Sequence, residues 1–82
     1  MSFNVHKRKA LDAALPFNHR MSNLRSCAML VSQKFRVPRS MIITRVAEQC
    51  GVDITLSAND AEIHLAVAIL EQIKQSGLGD SD

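Results

Sequence analysis

The sequence predicts one small, mainly α-helical domain with a short strand ahead of its main helices. Apolar residues recur at helical spacing in three segments, near 22–35, 41–50 and 59–75. Residues 17–21 instead alternate apolar and polar side chains, which is the period of a strand. The apolar residues are mostly aliphatic, with three Phe and no Trp or Tyr, so we expect thinly packed helices without a large ligand cavity.

The N-terminal segment, residues 1–16, is expected to be a basic arm that becomes a short helix from Lys7 to Leu15. Pro16 interrupts this helix and favours an extended conformation for the residue before it. The predicted strand follows at residues 17–21, with the sequence FNHRM. It carries Phe17, His19 and Met21 on one face and Asn18 and Arg20 on the other.

The two helices that follow the strand have predictable ends. Ser22 is a suitable N-cap for a helix that runs to about Phe35. After a tight connection over residues 36–40, the next helix runs from Met41 to about Cys50, and Gly51 ends it. The pattern therefore predicts a helix, a short turn and a second helix over residues 22–50.

The C-terminal third is predicted to form one long helix from Asn59 to about Gln75, with Ser57 as its cap and Asp60 three residues later. Residues 52–56 fit either a strand or a loop, and residues 77–82 are expected to be a disordered tail. The last helix is apolar over more than half of its circumference, so we expect it to be buried against a partner subunit as well as against its own domain.

Charge is distributed very unevenly along the chain. Residues 1–45 contain nine Lys or Arg and one acid, a net charge of +8, whereas residues 46–82 contain one Lys and seven acids, a net charge of −6. Such asymmetry indicates a polyanion partner for the basic half. A chain of 82 residues also buries only about 60% of its unfolded surface, so we expect a homodimer.

Residues 17–50 resemble the ribbon-helix-helix repressors, the family of Arc and Mnt, in their order of strand, helix, turn and helix. The segment FNHRM is similar to the family's DNA-binding ribbon, and RSMIITRVAEQ is similar to its second helix. The resemblance implies that two chains pair their strands and insert the resulting ribbon into the major groove of double-stranded DNA. The polar face of that ribbon, Asn18 and Arg20, would then contact bases.

The same interpretation assigns further residues to DNA and to the dimer. In the family, the start of the second helix binds a phosphate through its backbone amides, a role that falls here to Ser40 and Met41, assisted by Arg36 and Arg39. The full set of expected phosphate contacts is Lys7, Arg8, Lys9, Arg25, Arg36, Arg39 and Ser40. The residues expected at the dimer or partner interface are Phe17, Met21, Ile63, Val67 and Leu70.

An all-α helix-turn-helix is the alternative fold for the DNA-binding segment. One version spans residues 27–46 and uses residues 36–38 as its turn, although Arg36 then occupies a position that favours small residues. The other spans residues 45–57 and would present Asp53 and neighbouring acids to phosphates, which is unfavourable.

Other classes of function have little support in the sequence. The three His residues lack Cys or carboxylate partners at ligand spacing, so we expect no metal, no cofactor and no catalysis. No apolar run is long enough for a bilayer, and no signal peptide is recognisable, so a cytoplasmic protein with reduced Cys27 and Cys50 is expected.

The sequence thus predicts a sequence-specific DNA-binding protein, either a small dimeric transcriptional repressor or a plasmid or phage accessory factor. The alternative is a helical protein-protein interaction module, such as an antirepressor, adaptor or inhibitor, that uses its apolar C-terminal helix.

Overall fold

A computed structural model describes residues 2–77, which form four α-helices and contain no strand. In chain order the helices are α1 (Phe3–Leu11), α2 (Phe17–Phe35), α3 (Arg39–Cys50) and α4 (Asp60–Ser76). The prediction of a mainly helical chain is therefore confirmed. The tail predicted for residues 77–82 lies outside the described residues except for Gly77, which ends α4 by donating its N–H to the Ile73 carbonyl at 2.7 Å.

The predicted strand at residues 17–21 is wrong, because these residues form the first turns of α2. The Pro16 carbonyl begins the helix by accepting hydrogen bonds from the N–H groups of His19 (3.0 Å) and Arg20 (3.1 Å). The buried face of α2 also begins here, since Arg20 and Met21 lie on the stripe that continues down the helix. The alternation of apolar and polar residues over 17–21 is thus the first part of the helical pattern of α2.

The N-terminal helix also differs from its predicted position. α1 starts at Phe3, with the Ser2 side chain accepting from the Val5 N–H, and ends at Leu11. Phe3 and Ala10 are its buried residues. The helix starts earlier than predicted because Phe3 packs into the core together with Ala10. The segment that leads to Pro16 is a turn instead of helix.

A tight turn of three residues, Arg36 to Pro38, joins α2 to α3. Arg36 is in the left-handed region, with φ 57° and ψ 44°. Its N–H donates to the Gln33 carbonyl at 3.2 Å, and the Val37 N–H donates to the Ser32 carbonyl at 3.0 Å. This pair of bonds is a Schellman motif, which satisfies the last carbonyls of α2 and reverses the chain into α3.

The connection from α3 to α4 is a loop, so residues 52–56 form no strand. Gly51, with φ 75°, ends α3 as predicted. The loop is fixed to the core by Val52, Ile54 and Ala58, all of which are buried. Its last residue, Asn59, caps α4 in a reciprocal capping box with Glu62, so the cap lies two residues later than the predicted Ser57.

The helices pack around α2 and α4. Both α1 and α3 contact these two helices, and within the described residues α1 and α3 do not contact each other. The largest fully buried side chains come from α2, α3, α4 and the loop between α3 and α4; they are Leu24, Cys27, Val31, Ile42, Val46, Ile54, Ile63 and Leu70. Among residues 2–77, no helix is long and apolar enough to cross a bilayer.

Candidate nucleic-acid interface

Four residues predicted to bind a partner subunit are buried in the protomer's own core. Met21, Ile63, Val67 and Leu70 are each 3% exposed or less. The apolar face of the last helix is therefore covered by α2 and its neighbours, which removes these four residues from any dimer interface. Phe17 differs, since the residue is 44% exposed and its ring lies beside Arg20.

Arg20, predicted to contact bases, is buried and holds the fold together. It is only 4% exposed. Its Nε donates to the Ala10 carbonyl at 2.8 Å, and its Nη2 donates to Asp60 Oδ1 at 2.6 Å. The Arg20 hydrogen bond holds the pKa of the Asp60 carboxyl below its usual value. The side chain thus ties the end of α1 to the start of α4, and it is not placed to contact DNA.

Two of the predicted phosphate contacts also have partners within the protomer. Lys7 Nζ lies 2.7 Å from Glu71 Oε1, in a half-buried ion pair between α1 and α4. Arg25 donates from Nε to the Ile54 carbonyl at 3.0 Å and from Nη2 to the Leu56 carbonyl at 3.2 Å. Arg25 therefore holds the loop before α4 against α2, and the sequence separation of these partners explains why neither contact was predicted.

The remaining predicted DNA contacts are exposed, but they fall into separate groups. Arg8 and Lys9 lie on α1, beside Val5 and Asp12. Asn18 is exposed at the start of α2. Arg8 and Lys9 therefore lie on a helix that does not contact α3 within residues 2–77.

The third group surrounds the start of α3. Arg36, Arg39 and Ser40 are all exposed there, and no ion pair to either arginine is found within residues 2–77. Pro38 is the N-cap and supplies no side-chain hydrogen bond, and the first turn contains no acid. A helix start of this kind has amide groups without intrahelical partners and a positive end of the helix dipole, both of which favour an anion.

The outward face of α3 continues this site along the helix. Ile42 and Val46 anchor the inner face of the helix in the core. The opposite side forms a shallow depression of about 450 Å³ that is lined by Pro38, Ser40, Met41, Thr44, Arg45 and Glu48. This surface combines hydroxyl, guanidinium and carboxylate groups with the exposed Met41 side chain, so it offers both hydrogen-bond donors and acceptors.

Thr44, Arg45 and Glu48 were not among the predicted site residues. Their positions in the sequence contain a usable signal, because they occupy the side of the 41–50 helix opposite its predicted apolar residues.

Within residues 2–77, no group of three or more His, Cys, Asp or Glu side chains is placed to hold a metal ion. His6 pairs instead with Asn23, through an Nδ1 to Oδ1 contact of 2.8 Å.

Comparisons with protein-family models, curated proteins and solved structures found no match to this chain.

Proposed function

We propose that this protein binds double-stranded DNA through a helix-turn-helix formed by α2 and α3, as a small regulator of the repressor type. In this arrangement α3 lies in the major groove, and its N-terminal residues contact base edges. The observation that carries the proposal is a helix with a polar outward face whose start is flanked by two exposed arginines, Arg36 and Arg39.

The turn geometry supports this assignment of helices. Helix-turn-helix motifs join their helices by about three or four residues and often use Gly in the turn. The three-residue turn here has Arg36 in the left-handed conformation that Gly usually adopts. Although this position favours a small residue, the Schellman bonds hold Arg36 in the left-handed conformation.

Each exposed group has a defined role in the proposal. Arg36 and Arg39 contact phosphates on either side of the helix start, and Ser40 adds a hydroxyl and a backbone amide. Thr44 and Glu48, which are both exposed, are positioned along α3 to meet base edges. Glutamate accepts from the amino group of cytosine, and each good contact of this kind discriminates by about 1–3 kcal/mol.

A titration of fluorescent duplex DNA tests the proposal. The double variant Arg36→Gln/Arg39→Gln should weaken binding to random duplex, and it should lower the slope of log K against log salt by about 0.9 per lost phosphate contact. The matched control is Arg8→Gln/Lys9→Gln, which removes the same charge from α1.

The proposal that α3 is the DNA-binding helix is supported only if Arg36→Gln/Arg39→Gln lowers DNA affinity more than Arg8→Gln/Lys9→Gln does. Equal losses of DNA affinity in the two double variants would mean that binding depends on net charge alone. Absence of salt-dependent binding by the unmodified protein would overturn the proposal altogether.

A second experiment uses Thr44→Ala and Glu48→Gln with a duplex selected from a random pool. These changes should reduce the preference for the selected sequence more than they reduce affinity for random duplex.

A further inference from the structure

The outward face of α3 carries one exposed apolar side chain near the start of the helix. Met41 is the third residue of α3 and is 46% exposed, whereas the next residue, Ile42, is fully buried. The Met41 N–H donates to the Pro38 carbonyl at 3.0 Å, so the backbone of this residue is fixed in the first helical turn. Met41 therefore contributes to the outer surface of α3 and little to the core.

The surroundings of Met41 are mostly polar. It lines the depression on α3 together with Pro38 and with four side chains that form hydrogen bonds, which are Ser40, Thr44, Arg45 and Glu48. A wholly apolar partner surface would cover these polar groups without offering them hydrogen bonds, which is unfavourable. The depression instead suits a partner that presents an apolar group next to hydrogen-bond donors and acceptors.

The major-groove edge of DNA has this mixed character. Every base pair presents hydrogen-bonding groups there, and thymine alone among the four standard bases adds an apolar group, its 5-methyl. A methionine side chain is unbranched and adapts its shape to an irregular apolar neighbour. Thr44 lies three positions after Met41 in the same depression, and its methyl and hydroxyl suit the same kind of base edge.

From this arrangement we infer that Met41 is a specificity-determining residue, which selects thymine by packing against its 5-methyl group. The inference rests on the proposed function, because it requires α3 to lie in the major groove. Arg36 and Arg39 position the helix through phosphates, and Met41 adds a contact that carries sequence information. The base preference that Met41 provides therefore depends on a methyl group and not on charge.

Met29 supplies a matched control within the same chain. It is 42% exposed, close to the value for Met41, but it lies on α2 and outside the depression. Alanine at either position removes the same side chain from a similarly exposed site. A general effect on the surface or on stability should therefore be alike in the two variants, and a contact with thymine should be lost only in Met41→Ala.

A duplex selected from a random pool by the unmodified protein provides the DNA for the test. Deoxyuridine then replaces each thymine in turn, which removes the 5-methyl group and leaves the base-pairing groups intact. At one or more thymines the replacement should raise the Kd of the unmodified protein about fourfold, or about 0.8 kcal/mol for one buried methyl. Fluorescence anisotropy at a fixed salt concentration measures these affinities.

Substitutions in the protein identify the residue that contacts the methyl group. Met41→Ala should bind the thymine and deoxyuridine duplexes with equal Kd, because the side chain that packs against the methyl is removed. Met41→Leu stays apolar and should keep at least about a twofold preference for thymine, and Met29→Ala should keep the full preference of about fourfold. Circular dichroism establishes that each variant is folded.

Three results would overturn the inference while leaving DNA binding by α3 in place. They are a selection that yields no thymine-dependent site, a thymine preference that Met41→Ala retains, and an equal loss of that preference in Met29→Ala and Met41→Ala. Failure of the proposed function gives a different result, since the unmodified protein would then show no salt-dependent binding to any duplex.

Discussion

The arginines of α2 and those of the α2–α3 turn look alike in sequence but have opposite roles in the structure. Arg20 and Arg25 reach across the protomer to atoms of α1, α4 and the loop before α4. Arg36 and Arg39 lie exposed at the start of α3. A basic half of the chain is therefore not a basic surface, and only part of its charge is available to a polyanion.

Replacing Arg20, one of the two α2 arginines that bind within the protomer, should produce the largest loss of stability. Arg20→Ala leaves the buried Ala10 carbonyl without its donor and removes the partner of Asp60. Leaving a buried carbonyl without its donor costs about 1–3 kcal/mol. We expect a loss of about 2–3 kcal/mol, because the buried Arg20 side chain also loses its packing, whereas Asp60 is exposed and can be hydrated. Urea denaturation followed by circular dichroism measures it, with Arg39→Ala as the matched control, expected within about 0.5 kcal/mol of the unmodified protein.

Arg25→Ala should have a smaller and more local effect. The half-buried guanidinium makes two hydrogen bonds to loop carbonyls, and such bonds from a charged donor contribute about 1.5–3 kcal/mol when fully effective. We expect a loss of about 1–2 kcal/mol after solvent exposure is considered. Hydrogen exchange should quicken at Leu56, whose N–H is bonded to the Asp53 carbonyl. Unchanged exchange in the loop would contradict the role assigned to Arg25.

Replacing Arg36 with Gly should separate stability from DNA binding. Arg36 adopts a positive φ, which costs a residue with a Cβ about 1 kcal/mol. Arg36→Gly removes that strain, so the free energy of unfolding should rise by up to about 1 kcal/mol, less the entropy that Gly loses on folding. It also removes a proposed phosphate contact, so DNA affinity should fall. Loss of both stability and affinity would count against the assignment.

The Arg20–Asp60 pair should also make stability depend on acid pH. The Asp60 carboxyl has a lowered pKa in the folded protein, mainly because of the hydrogen bond from Arg20. Its contribution is therefore fully present above the unfolded-state pKa of about 3.9 and is lost as pH falls through the folded-state pKa. The unmodified protein should lose more stability than Asp60→Asn between pH 6 and pH 2.5. Equal losses in the two proteins would contradict the linkage.

Local signals in the sequence predicted several helix ends correctly, because the relevant atoms are close in the chain. The end of α2 at Phe35 and the role of Gly51 depend on residues within one turn. The start of α2 was missed for a related reason: five residues are too few to separate a strand period from the beginning of a helix. Ser57 and Asn59 are both acceptable caps, and only the bond to Glu62 distinguishes them.

The site was harder to predict, because it depends on contacts between distant residues. Arg20 and Asp60 are forty positions apart, and the sequence contains no sign that they meet. The apolar face of α4 was correctly predicted to be buried, but a periodic pattern does not say whether the covering surface belongs to the same chain. The start of the second helix depends on local residues, and the sequence predicted it near Ser40; the structure begins α3 at Arg39.

The position of Cys27 gives the molecule a chemical reporter of the docking of α1. Its thiol is fully buried, burial raises its pKa to about 12, and Sγ lies 4.0 Å from the Phe3 carbonyl. The thiolate is the nucleophile that attacks an alkylating reagent, so Cys27 of the folded protein should be labelled only when α1 lifts away. The rate of that labelling measures how often α1 detaches, without any change to the sequence.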